Sequence, residues 1–89
     1  MTMYKIRRVV GEMEAEEVDA AALRSIWCLS DYPDLKWHHS MWDRDAGEIV
    51  CLYESPSEES IRQHAEAARL PCDEIREVTL IDPEEYLHG

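Results

Sequence analysis

Three cysteines, Cys28, Cys51 and Cys72, are present without any C-x-x-C spacing. An odd count with no export signal reads as free thiols in a reducing cytoplasm. The first residues, M-T-M-Y-K-I-R-R, are too polar for such a signal. No run of about 18 apolar residues occurs, so nothing here is expected to span a membrane. There is no Gly-rich phosphate loop, no nucleophile elbow and no H-E-x-x-H. Basic residues are scarce, 9 against 20 acidic, for a net charge of -11. Phosphate binding needs a basic face, so nucleic acid is an unfavoured partner. Repeats, linkers and low-complexity segments are absent too.

What remains is one domain of 89 residues. A chain this short buries only about 60–65% of its unfolded surface, so its core is modest. Met3 to Val10 alternates as a strand and ends at Gly11. Glu14 to Ser30 carries Val18, Ala22, Ile26 and Leu29 at helical spacing, with Leu23 and Trp27 widening the stripe. Asp31-Tyr32-Pro33-Asp34 breaks that helix. Leu35 to Trp42 and Glu48 to Glu54 form a hairpin around the tip Asp43 to Gly47. Ser55-Pro56-Ser57-Glu58 predicts a capped helix start, with Ser55 as the cap. That helix runs to about Arg69. Glu74 to Ile81 is the last strand, and Asp82-Pro83 stops it. The tail E-E-Y-L-H-G is short and expected to fray.

The order βαββαβ predicts an α+β fold, a ferredoxin-like split βαβ sandwich. Two helices then cover one face of a four-stranded antiparallel sheet. The other face should be polar if it meets water. Yet I-V-C-L-Y is apolar on both faces, and so is most of W-H-H-S-M-W. A homodimer through the open sheet face, forming a dimeric α+β barrel, is the expectation.

The hairpin holds the residues best suited to chemistry. Neighbours on a strand point to opposite faces, so His38 and His39 act at one site only if the strand is bulged. With Trp42 opposite Glu48, His39 lies opposite Cys51 and Trp37 opposite Tyr53. Such pairs share a face at about 4.5–5.5 Å between Cβ atoms. A one-residue change in the loop removes the pairing.

Trp37 and Ser40 as W-x-x-S, Cys51 and Tyr53 as C-x-Y, and Ile61 to Ala65 as I-R-x-H-A form one pattern. Pro71, Ile75 and Val78, then Ile81 to Pro83 as I-D-P, extend it. The set resembles a family of small bacterial ferredoxin-like proteins of unknown function that includes a nickel-binding member. The resemblance implies a small cytoplasmic homodimer that binds a divalent transition metal. His39, Cys51, Glu54 and His64, which lie near the one hairpin, are the candidate ligands. Imidazole and carboxylate suit nickel, copper or zinc, and sequence does not choose between them.

Each of these residues also has a plainer reading. His64 is a ligand or a structural histidine bonded to a backbone carbonyl. Cys51 is a ligand or a small buried hydrophobe. A single site joining His64 to a His39–Cys51 pair requires Cys51 on the helix side of the sheet. Tyr4 and Tyr53 offer an alternative, a pocket for a small hydrophobic molecule with oxygenase or isomerase chemistry. A third reading is a non-catalytic interaction domain. The balance of these features leans against an enzyme.

Overall fold

The computed structural model describes residues 1–87. The strands are β1 (Thr2–Val9), β2 (Lys36–Asp43), β3 (Glu48–Ser55) and β4 (Glu74–Val78). The helices are α1 (Ala15–Leu29), α2 (Glu58–Ala67) and a short α3 (Glu84–Leu87). α3 falls within the tail expected to fray, whose last residues, His88 and Gly89, lie outside the described residues. The sheet order is β2-β3-β1-β4 and every pairing is antiparallel. This is the ferredoxin-like sandwich, with β1 and β3 at its centre.

Both long helices pack on the face that carries Ile6, Arg8, Cys51 and Tyr53. The core there is small: Ile6, Leu35, Cys51, Tyr53 and Ile61. The opposite face is open. By strand alternation it carries Met3, Lys5 and Arg7 from β1 and Val50, Leu52 and Glu54 from β3. It is more mixed than the sequence of β3 alone predicts. Arg7 pairs with Glu48 at 2.8 Å and Arg76 with Glu74 at 3.0 Å across its surface.

The register of the hairpin is split. Lys36 and Trp37 pair with Glu54 and Tyr53, as expected. Then a β-bulge at His38 shifts the rest by one, so His39 faces Leu52, Ser40 faces Cys51 and Trp42 faces Ile49. Exposure along β2 alternates except at His38 and His39, two successive exposed residues. The expected His39–Cys51 and Trp42–Glu48 pairs are therefore corrected. An extra residue on one strand reverses the parity of everything beyond it.

The hairpin tip docks on the end of β1. The carbonyl of Gly47 accepts from the backbone N–H of Val10 at 2.9 Å and of Gly11 at 3.0 Å. Gly47 has φ +65°, and a Cβ there would lie 3.1 Å from Gly11 Cα, so glycine is needed at this contact.

Two helix details depart from expectation. The N-cap of α2 is Ser57, whose hydroxyl accepts from the Ser60 N–H at 3.2 Å. Ser55 instead makes a turn, its hydroxyl donating to the Ser57 carbonyl at 2.7 Å. On α1 the face toward the sheet is Val18, Ala21, Ala22, Ser25, Cys28 and Leu29, not the stripe through Ile26. Leu23, Ile26 and Trp27 are exposed, Trp27 by 83%. Ser25 takes the buried position at 3% exposed, its hydroxyl 3.4 Å from that of Tyr53. β4 also stops at Val78, short of Ile81.

Candidate functional site

The sheet separates two groups of chemistry-bearing side chains. The bulge decides the first. It brings His38 and His39 to the open face, where Glu54 also lies. His38 Nε2 sits 2.8 Å from Glu54 Oε1. Trp37 and Ser40 take the helix-facing side together, and Trp37 Nε1 donates to Ser40 Oγ at 2.9 Å. The W-x-x-S spacing is thus the signature of the bulge. Without the extra residue, positions three apart would point to opposite faces.

The second group lies between sheet and helices. His64 projects from α2 and is 1% exposed. Its Nε2 donates to the Ser25 carbonyl of α1 at 2.9 Å. Its ring meets Tyr32 edge-on, centroids 5.8 Å apart, and Tyr53 at 5.9 Å. Trp37 stacks on the far side of Tyr53 at 6.4 Å. Burial pushes the His64 imidazole below its ordinary value, Arg8 adds to that, and the bond to Ser25 opposes it. His64 is therefore a neutral histidine that ties α2 to α1. Burial likewise pushes the Tyr53 phenol up, against a partial pull from the Ser25 hydroxyl 3.4 Å away.

Cys51 lies on this helix side, as a joint site with His64 requires. His39 does not, so His39, Cys51, Glu54 and His64 are not gathered at one point. The thiol's close polar neighbour is Arg8, whose Nε donates to Cys51 Sγ at 3.4 Å. A fixed positive charge there opposes a metal cation at the thiol.

Arg8 is the functional-looking residue that sequence reasoning missed. It is 3% exposed, yet among the described residues no carboxylate pairs with it. Its Nη1 donates to the Pro71 carbonyl at 2.7 Å, and its guanidinium carbon lies 5.9 Å from the Tyr53 ring centre. Nη2 has no partner among the described residues. Leaving a buried donor unmatched costs about 1–3 kcal/mol. A signal existed, because alternation through Ile6 sets Arg8 on the core face of β1. Beside it lies a cavity of about 70 Å³ lined by Val18, Ala22, Tyr53 and other mainly apolar side chains.

All three cysteines are free. No helix among the described residues is long and apolar enough to cross a membrane. Among the same residues, no group of three or more His, Cys, Asp or Glu is arranged to hold a metal ion.

Comparison with known proteins agrees with this geometry. No curated protein matches the chain. Among solved structures it is similar to SCO4226 from Streptomyces coelicolor A3(2). The TM-score is 0.79 at 25% identity, over 90% of this chain and 99% of that one. The family model described as "Nickel responsive protein SCO4226-like" matches residues 4–78, which include the bulged hairpin, Arg8 and His64. The chain belongs to the SCO4226-like family of nickel responsive proteins.

Proposed function

We propose that this protein is a small homodimer that binds a divalent transition metal of the nickel type, with His38, His39 and Glu54 as the ligands each copy contributes. The observation that carries the reading is the bulge. It sets two imidazoles and a carboxylate on one open face, with His38 and Glu54 only 2.8 Å apart. Imidazole and carboxylate are suitable donors for nickel. The family's description as nickel responsive supports the choice of metal.

One copy alone supplies too few clustered donors among the described residues. The set is completed where a second copy covers the open face. Val50, Leu52 and Met41 offer apolar surface there for that contact. Val50 and Leu52, rather than Ile49 and Cys51, are the positions where a charge disrupts it. His64 keeps a structural role and Cys51 stays out of the metal shell. Free thiols suit a reducing cytoplasm as the working compartment.

Isothermal titration of metal-stripped protein with nickel tests the reading, alongside light scattering. Saturable binding by a dimer is expected, lost in a His38→Ala, His39→Ala double variant. Leu52→Glu should yield monomers and weaken nickel binding with them. Wild-type binding no tighter than that of the double variant would refute the ligand assignment. A wild-type monomer with undiminished nickel affinity would refute the dimer.

A further inference from the structure

α1 carries two apolar faces, and the fold uses only one of them. The other centres on Leu23, with Ala20, Ile26 and Trp27 three or four positions away on the solvent side. Leu23 and Ile26 are each more than half exposed. Trp27, at 83%, is the most exposed large apolar side chain among the described residues. Single exposed apolar residues are ordinary, but a contiguous set rimmed by polar residues marks an interaction site. Tryptophan is also among the side chains most enriched where binding energy concentrates.

The charge around this stripe is of one sign. Glu16 and Asp19 lie before Leu23 on the same face, and Asp31 lies one turn beyond Trp27. All three are exposed. The helix has one cation, Arg24, and it turns to the flank, where its Nε donates to the Ala68 carbonyl at 2.9 Å.

That charge selects among occupants. A second copy of α1 laid antiparallel brings Asp31 against Glu16 and Asp19. Laid parallel, it sets each acid on its own twin. Like charges facing each other in this way repel. The chain's own tail offers Ile81 and Leu87 as exposed apolar groups, but it carries Asp82, Glu84 and Glu85 with them. An anionic membrane surface is opposed for the same reason. The complementary occupant is apolar along one face and basic beside it.

We propose that the outer face of α1 docks a basic amphipathic helix of another protein. Its apolar side chains seat against Leu23, Ile26 and Trp27, and its lysines or arginines reach Glu16, Asp19 and Asp31. Anchors at i, i+3 and i+4 are the ordinary grammar of such helix recognition. From Glu16 to Trp27 the face spans about 16 Å of helix, so the contact is small and the complex transient. The surface lies across the sheet from His38, His39 and Glu54. It is therefore independent of the metal reading and stays free in a dimer made through the open face.

The test follows a dye-labelled leucine–lysine peptide by fluorescence anisotropy as full-length protein is added. The peptide has about four helical turns, with its leucines on one face. The same peptide with glutamate in place of lysine is the charge control. The lysine peptide should bind saturably and weaken as salt rises, with the glutamate peptide at least about tenfold weaker. A Leu23→Lys, Trp27→Lys variant should lose at least about tenfold in affinity for the lysine peptide. Both side chains are exposed, so the fold should survive the change. An Ile81→Lys, Leu87→Lys variant adds the same charge at equally exposed apolar positions in the tail. It should leave binding within about twofold. Equal weakening by the two variants would reveal attraction to net charge alone and overturn the proposal. So would no saturable binding, or a glutamate peptide that binds as well. Tighter binding by the tail variant would make the tail the occupant instead. A wild-type assembly that Leu23→Lys, Trp27→Lys takes apart in light scattering would assign the stripe to a second copy. Stripe-dependent binding to phosphatidylglycerol vesicles would assign it to a membrane. Each of these three results overturns the proposal as well.

Discussion

Replacing His64 by leucine should change stability by an amount that depends on pH, and the structure sets both terms. Leucine keeps the helix and roughly fills the space, but it loses the bond from Nε2 to the Ser25 carbonyl. That bond is worth about 1 kcal/mol net. Above the ordinary histidine range the variant should therefore be less stable by about that amount. For a domain of this size it is a fall of roughly 4–8 °C in Tm. Acid works against the wild type in this comparison. Burial lowers the imidazole's affinity for a proton in the folded state. Below about pH 6.5 the unfolded chain then takes up a proton that the folded chain refuses. Wild-type stability is full above that point and is lost as pH falls toward the depressed folded value, at up to about 1.4 kcal/mol per pH unit. His64→Leu has no such loss. The gap between the two proteins should therefore narrow as pH falls below the ordinary histidine range. Thermal unfolding of both proteins at paired pH values reads this directly. The many carboxylates titrate in both chains and cancel in the difference. A Tm difference that stays constant with pH would refute the picture of a buried neutral histidine.

Two further substitutions probe the helix ends. Arg69→Gly relieves a left-handed residue and should stabilise the fold by about 0.5–1 kcal/mol, seen as a rise in denaturant midpoint at constant slope. Ser57→Ala removes the cap of α2 and should cost about 1 kcal/mol. A loss confined to Ser55→Ala in the same chemical denaturation series would move the cap back to where sequence alone sets it.

Much of this fold is legible in the sequence because it is written in periods. The alternation of β1 and β3 and the chain's proline and glycine stops give the element order and the sandwich. The hairpin register was half legible. Trp37 and Tyr53 pair as the alternation predicts, and His39 and Cys51 do not. A bulge is a single inserted residue with no propensity of its own, and its only trace is the W-x-x-S spacing that needs it. The face of α1 was misread for a different reason. Ile26 and Trp27 are the more apolar residues, yet Ser25 is the buried one, with its hydroxyl beside that of Tyr53 and its carbonyl accepting from His64. Hydrophobic periodicity does not register a helix oriented by hydrogen bonds. Arg8 is hard to read from sequence because arginine is so seldom buried, although strand parity through Ile6 sets it on the core face. The short helix α3 in the tail is not legible in the sequence, because four residues carry no apolar period.

The central claim is that the sheet divides its histidines by role, with His38 and His39 toward metal on the open face and His64 structural beneath the helices. Paramagnetic broadening tests it most directly, since nickel broadens nuclear resonances steeply with proximity. Metal-stripped, isotope-labelled protein titrated with nickel should lose the signals of His38, His39, Glu54 and neighbouring Leu52 first. Those of His64, Ser25 and Tyr53 across the sheet should persist. Broadening centred on His64 or Cys51, or none at all with nickel in excess, would contradict the account.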